Sequence, residues 1–580
     1  MSIHESRPTS PGGRTSAPGT PAGGTTPTNT ASGSTEPSAL RPHMGLSALT
    51  FVSLGSIIGS GWLLGALTAA QAAGPAAIVA WMMAGVLVMI LALVHAELGA
   101  TYPVAGGSAR YTHLALGPLA GFTAGWLAWI QAVALAPIEV EAALSYLNNE
   151  FPGLIRQDGT LTGTGLAIGA ASMLVFTTIN VLGVRRLAAT NAVTVVWKFL
   201  VPLLTVVTLC VVSFQPGNFH AGGGFAPFGA HGIFAALPAG VVFALQGFEQ
   251  AVQMGGEARN PSRDIPRAII IATLLGTGLY LALQIAFLGA LDPAQLLHGW
   301  SHPVGSGDYG PYATLAQGLT LTWLAALLYI DAVVSPGGTA LIYVGTSSRL
   351  AYSLGETGSL PSALRRLNRH GTPVVAIAIA CVVGLLMFLP FPSWQQLVRL
   401  ISSATFVMYG FVPIALIVLR RTDPDRPRPY RLPAANVLAR AAFVASNMIV
   451  YWSGWENDRK LAAAIVVGFV VFALYRATQP ADRWPALEWR AALWIAPWLG
   501  GVVLISWLGQ FGGRGVIPFW VDLVVLSVFC LGVFELAVRG APPAARTRHL
   551  IDAACPPRRA SADPAPDGTV PGARIPDCPA

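Results

Sequence analysis

Gly55-Ser56-Ile57-Ile58-Gly59-Ser60-Gly61-Trp62 lies in the middle of the first long apolar run of the chain, which extends from about Leu46 to Ala73 without a charge. The run is long enough to cross a bilayer as one helix, for which about 20 apolar residues suffice. Its three glycines within seven residues weaken that helix at mid-depth, since glycine is a poor helix former. The stretch therefore predicts a helix that breaks inside the membrane. In hydrocarbon an unpaired amide or carbonyl is costly, so a break survives only where it lines a cavity or binds something. The competing reading is that Gly55, Gly59 and Gly61 merely let a neighbouring helix come close.

A second interrupted span moves the balance toward a ligand site. Gly240-Val241-Val242-Phe243-Ala244-Leu245-Gln246-Gly247-Phe248-Glu249-Gln250 sets a carboxylate, two amides and a glycine inside another apolar run. Paired broken helices in corresponding parts of a chain point to the binding site of a secondary transporter.

Composition fixes the class. With 580 residues, 53% hydrophobic, 10% charged and a mean hydropathy of +0.59, the chain reads as an all-α polytopic membrane protein. A β-barrel is excluded because the apolar runs are continuous rather than alternating. The formal charge of +8 comes from arginines in loops and tails, so it speaks of topology and not of nucleic acid. Cys210, Cys381, Cys530, Cys555 and Cys578 show no metal-binding spacing, and neither a metal site nor a disulfide framework is expected. Residues 1–42 and 541–580 are too poor in apolar side chains to form a core and are expected to be disordered cytoplasmic tails. No cleavable signal is seen at the start, so the first span should act as its own insertion signal.

About fourteen apolar spans follow one another, near 45–73, 75–98, 117–147, 162–183, 190–213, 232–254, 267–291, 317–350, 372–390, 396–419, 434–455, 460–477, 491–508 and 517–539. Arginines concentrate in every second loop, at Arg110, Arg185/Arg186, Arg259/Arg263/Arg267, Arg365/Arg366/Arg369, Arg420–Arg431 and Arg476–Arg490. The opposite loops hold only Arg156, Arg459, Lys460 and Arg514. By the positive-inside rule both termini are then cytoplasmic.

Several side chains inside these spans are candidates for chemistry, because an intramembrane charge is expensive. Glu249 belongs to the second interruption. Lys198 is one of only two lysines in a chain otherwise committed to arginine, and a desolvated lysine can give up its proton where arginine does not; snorkelling toward the interface is the duller reading. Asp331 precedes Ser335-Pro336-Gly337-Gly338-Thr339, where the proline and glycines should distort the helix. Glu139 and Glu141 lie two apart, hence on different faces of the third span, so only one should face the interior. His95 and Glu97, at the end of the second span, read as interfacial groups solvated by headgroups and loops. No catalytic or nucleotide-binding motif stands in a suitable context, and no enzyme activity or cofactor is expected.

Gly55-Ser-Ile-Ile-Gly-Ser-Gly61, Glu97-Leu-Gly-Ala-Thr-Tyr-Pro103-Val-Ala-Gly-Gly107, Phe243-Ala-Leu-Gln-Gly-Phe-Glu249, Glu257-Ala-Arg-Asn-Pro261-Ser-Arg-Asp-Ile-Pro-Arg267, and Arg349 followed by Gly358-Ser-Leu-Pro361 together resemble the amino acid–polyamine–organocation permeases. The resemblance implies a core, residues 43–430, in which helices 1–5 and 6–10 are inverted repeats. Residues 431–540 would then form four additional helices, two more than the family usually has. It further implies that the substrate carboxylate meets the amides of Ser60 and Gly61, and its ammonium the carbonyls near Ile57 and around Phe243, Ala244 and Gln246. Phe243 would act as an aromatic gate and Gln246 would face the side chain of the substrate. Lys198 is similar to the helix-5 lysine that replaces a sodium ion in proton-coupled members, with Asp331 and Ser335 near that bridge and Glu249 a further proton-coupling candidate. The helix-8 stretch and the extra helices look similar to the aspartate–proton symporter branch, although no arginine or second buried lysine stands beside Phe243 in sequence to receive a side-chain carboxylate.

The function implied is proton-coupled amino acid symport by alternating access, with an amino acid, protons and the lipid bilayer as partners. Amino acid exchange, and sensing without translocation, are the alternatives left open. The arginine bias points to a GC-rich bacterium and hence to its inner membrane.

Overall fold

The computed structural model describes residues 44–104, 106–156, 159–182, 187–305, 310–368, 371–389, 393–480 and 487–554. Arg185, Arg186, Arg369, Arg483, Cys555, Cys578 and the N-terminal stretch 1–42 lie outside them. Among the described residues there is no β-strand, and each of the fourteen apolar runs contains a helix. The chain is a polytopic helical membrane protein.

The first run is split into α1 (Leu46–Ile57) and α2 (Gly61–Ala73), and α3 (Ala77–Thr101) follows through a single 3-10 turn. A loop helix α4 (Gly107–Leu116) precedes α5 (Pro118–Glu150), α6 (Gly163–Val181) and α7 (Leu187–Val212). The second interrupted run starts with α8 (Gly229–Ala236), and α9 (Pro261–Ala290), α10 (Thr322–Glu356), α11 (Val374–Met387) and α12 (Trp394–Thr422) come next. The additional helices are α13 (Ala435–Ser453), α14 (Trp455–Ala477), α15 (Ile495–Leu508) and α16 (Phe519–Arg539). Among the described residues, ten helical stretches are long and apolar enough to cross a membrane, with Gly61–Thr101 counted as one. Two of the shorter apolar helices, Leu46–Ile57 and Gly229–Ala244, are the leading parts of the interrupted runs.

Helix α12 sits at the centre of the bundle. Its apolar stretch is 100% buried, against 17% for α6 and α14, which leaves most of those two exposed. The outer side of α12 is covered by α13 and the C-terminal helices. There the Trp498 indole donates to Asn447 Oδ1 at 2.7 Å and meets Phe411 edge-on at 5.0 Å, while Trp494 stacks against it at 5.3 Å. The Asn447 amide gives the buried Trp498 indole a polar partner in a medium without water.

Three features depart from the sequence-based reading. His95 and Glu97 are buried rather than interfacial, because the chain after α12 folds back over the end of α3. Glu97 accepts from Arg420 Nε at 2.7 Å and Nη2 at 2.5 Å and from the Leu432 amide at 2.7 Å. His95 bonds the Leu91 carbonyl and Ser108 Oγ at 2.8 and 3.1 Å, with Phe248 and Tyr409 edge-on to its ring. Pro336 does not break α10, which continues through it to Glu356. Part of the expected C-terminal tail, Ala544–Ala554, is a helix, α17, whose Thr547 and Ile551 are buried. It is fastened by Arg548 to the Thr422 carbonyl and by Arg546 to Glu488. On α4, the His113 imidazole is held down at about 4 by burial and by Arg110 and Arg546.

The chain entering α1 is also fastened. The Met44 amide donates to the Glu257 carbonyl at 3.0 Å and the Arg259 amide to the Met44 carbonyl at 2.8 Å, just before α9 begins.

Removing Glu97 would leave the buried Leu432 amide without its acceptor and take the ion-pair partner from Arg420, which is 21% exposed and keeps its bond to the Leu432 carbonyl. A fully buried ion pair broken from one side costs about 3–5 kcal/mol, and this partly exposed one costs less. Glu97→Ala should therefore lower the unfolding temperature of detergent-solubilised protein, whereas an exposed pair, Glu456 with Arg459, should tolerate Glu456→Ala with little change.

Candidate substrate and coupling site at two broken helices

Helix α1 ends where Ile58 leaves the helical region, at φ −89° and ψ 89°, and α2 starts again at Gly61. The peptide groups freed at this break are taken up by side chains from other helices. The Ser60 amide donates to Glu139 Oε2 of α5 at 2.7 Å. Tyr280 of α9 donates its hydroxyl to the Ile57 carbonyl at 2.8 Å, and Lys198 of α7 donates to the Gly55 carbonyl at 3.0 Å.

The second break is more gradual. A π-turn at Leu237–Val241 is followed by one short turn, Val242–Ala244, and the helix then opens through Leu245–Glu249, with Gly247 at φ 115°. Glu249 closes this opening by accepting from the Gly247 amide at 3.0 Å and from Tyr409 of α12 at 2.6 Å. Gln246 Oε1 accepts from Thr405 of α12 at 3.1 Å, while its Nε2 is buried without a hydrogen-bond partner.

The two breaks are pressed together. A Cβ on Gly61 would lie 2.8 Å from Cα of Ala244, and one on Gly247 would lie 2.8 Å from Ser56 Oγ and 2.9 Å from the Ile57 nitrogen. Only glycine permits that approach. Over the junction, the Trp394 indole donates to Ser60 Oγ at 3.1 Å and stands edge-on to Phe243 at 5.8 Å. Ile57, Ser60, Gly61, Phe243, Ala244 and Gln246, the residues expected to hold substrate, thus form one buried cluster.

The coupling candidates divide into two groups. Lys198 Nζ bridges the Gly55 carbonyl and Thr339 Oγ1 of α10, at 3.0 and 2.6 Å, joining the end of α1 to α10. One turn before Thr339, Ser335 donates to Asp331 Oδ1 at 2.7 Å. Asp331 also accepts from the indoles of Trp197 and Trp62, at 2.7 and 3.1 Å. Glu249 is not part of this group, since it serves the second break.

Comparison with known proteins follows the same lines. The family model for amino acid permeases matches residues 44–496. The chain belongs to the amino acid permeases of the amino acid–polyamine–organocation superfamily. The glutamate/serine transporter AimA of Bacillus subtilis is 36% identical over 528 residues, 89% of this chain and 96% of the relative. The aspartate-proton symporter of the same organism is 34% identical over 508 residues, 87% and 97%, and the branched-chain amino acid permease BcaP is 28% identical over 449, 75% and 93%. The family and these relatives are transporters and not enzymes.

Within this permease, Thr339 and Trp394 were not singled out by the sequence reading, and Glu139 was named with its face left open. Thr339 had a usable signal, because Asp331, Ser335 and Thr339 are spaced i, i+4, i+8 and share one helix face. Glu139 was separable from Glu141 only by knowing which face meets the break. The structure turns Glu139 to Ser60 and leaves both carboxyl oxygens of Glu141 buried without a hydrogen-bond partner. Trp394 had no local signal at all, since its partners Ser60 and Phe243 are 334 and 151 positions away. The glycines after Pro336 also have a different use from the one expected. A Cβ on Gly338 would lie 3.2 Å from Lys198 Cε and 3.3 Å from Thr194, so this glycine makes room for the lysine and not for a kink.

Gly61→Ala forces a methyl group against the Ala244 backbone, and overpacking of this kind costs about 1–3 kcal/mol. The variant should unfold at lower temperature and lose substrate uptake at equal membrane abundance. Gly500→Ala, where a Cβ meets nothing within 4 Å, should retain both.

Proposed function

We propose that this permease is a proton-coupled amino acid symporter that works by alternating access, with the two breaks as its substrate site and Lys198 as its proton carrier. The observation that carries the reading is the Lys198 bridge from Gly55 at the end of α1 to Thr339 on α10. An ammonium placed there offers three donors and a full charge to two oxygens at the interrupted peptide. A neutral amine offers less, so the bridge weakens when the proton leaves and α1 is freed to move against α10. Coupling of this kind requires the proton to bind one conformation more tightly than the other.

The arrangement also supports the inverted-repeat reading of residues 43–430. The breaks fall in the first and sixth spans, and their residues meet face to face. Released amides at the start of α2 suit an anionic group, because a helix N-terminus concentrates orphan N–H donors and positive potential. The ammonium of the substrate then meets the carbonyls around Ile57 and Phe243. Substrate preference falls on small polar or acidic amino acids. The buried, unpartnered Gln246 Nε2 beside Thr405 supports this as a donor for a side-chain oxygen, as do the glutamate/serine and aspartate names of the two relatives. The arginine alternation supports a plasma-membrane orientation with both termini in the cytoplasm.

The test is uptake into proteoliposomes carrying an imposed pH gradient. Wild-type protein should accumulate L-glutamate, L-aspartate or L-serine when the outside is acid. Lys198→Ala should lose roughly ten-fold or more of that gradient-driven accumulation, the scale of a coupling free energy of about 1–3 kcal/mol. Accumulation by the variant with an unchanged dependence on the gradient would show that Lys198 is not the carrier.

A further inference from the structure

The amide that a substrate carboxylate would use is already occupied by a carboxylate of the protein. Glu139 Oε2 accepts from the Ser60 amide at 2.7 Å, and a Cβ on Gly59 would lie 2.6 Å from Glu139 Oε1. Glu139 is 2% exposed, so no water shell competes for it. The same absent side chain at Gly59 would lie 3.1 Å from Thr339 Oγ1, the partner of Lys198. Glu139 and the Lys198–Thr339 pair therefore converge on one glycine of the break.

We propose that Glu139 is a resident occupant of the substrate-carboxylate position, a tethered competitor that must leave the Ser60 amide before an amino acid can be seated there. The proposal rests on the reading of the breaks as the substrate site and adds a specificity device to it. A carboxylate accepting from a backbone N–H makes a charge-assisted bond, roughly twice as strong as a neutral one. A ligand must match that bond to displace it. Small molecules that bring an ammonium but no carboxylate cannot replace what Glu139 supplies, so the break stays closed to them. While Glu139 is seated, the binding-competent fraction of the protein is small, and the apparent affinity for substrate is reduced by that fraction. Once displaced, the carboxylate remains in the field of Lys198, which keeps its charge from being stranded in the bundle.

The experiment measures binding to purified full-length protein of L-serine, L-glutamate and L-aspartate, with ethanolamine as the counterpart of L-serine that lacks the carboxylate. Glu139→Gln keeps the size and an acceptor oxygen but replaces the charged competitor with a neutral one. It should bind the amino acids about ten-fold more tightly, the weight of one strengthened hydrogen bond, with no comparable gain for ethanolamine. Glu139→Asp, shorter by one methylene and still charged, should move the amino acid affinities in the same direction by less, and it serves if the glutamine variant does not fold. Weaker amino acid binding in both variants would overturn the proposal and make Glu139 a direct ligand of the substrate. An equal gain for ethanolamine, or no change for any ligand, would overturn it as well while leaving the substrate site in place. If none of the amino acids bound wild-type or variant protein, the proposed function itself would fail.

Discussion

A peptide group in hydrocarbon has no water to turn to, and the organisation of this bundle follows from that constraint. Interrupting two helices at mid-depth releases amides and carbonyls that must find partners within the protein. Those partners are side chains sent in from helices far away in sequence: Glu139 to Ser60, Lys198 to Gly55 and Tyr280 to Ile57, with Glu249 and Tyr409 closing the opening at Gly247. Each is buried and charged or hydroxyl-bearing, the kind of group a bilayer protein places only where it is needed. The fold and the candidate site are thus the same arrangement seen at two scales, since the groups that make the breaks tolerable are those through which a ligand or proton would act on them.

Much of this was legible from local pattern. Apolar runs of bilayer length give the helices, and the glycine spacing around Ser60 marks the first break at the residues where α1 ends and α2 begins. Lys198 stood out because the chain otherwise uses arginine. What remained hidden is pairing across long sequence distance. Nothing near Glu139 says that Ser60 is its partner, and nothing near Glu97 says that Arg420 and Leu432 will cover it. The fate of Pro336 was misread for a related reason: a proline in a helix can be accommodated by its surroundings, and here Gly338, two residues on, accommodates Lys198 and not a bend. Part of the C-terminal tail was misread because α17 is stabilised by docking against α4 and the end of α12 and not by its own composition.

The additional helices find a physical role in the burial of α12. That helix carries Trp394, Thr405 and Tyr409 to the two breaks, and its apolar stretch has no exposed side left. Enclosing it on the outside with α13 and the tryptophan cluster of α15 holds those three side chains at a fixed depth and angle.

The short backbone pairing of Met44 with Glu257 and Arg259 carries a mechanical consequence. It ties the entry of α1 to the entry of α9 through two backbone hydrogen bonds, while at the other end of α1 side chains of α7 and α9 hold the Gly55 and Ile57 carbonyls. The helix that leads into the first break is thereby joined, main chain to main chain, to the segment that leaves the second.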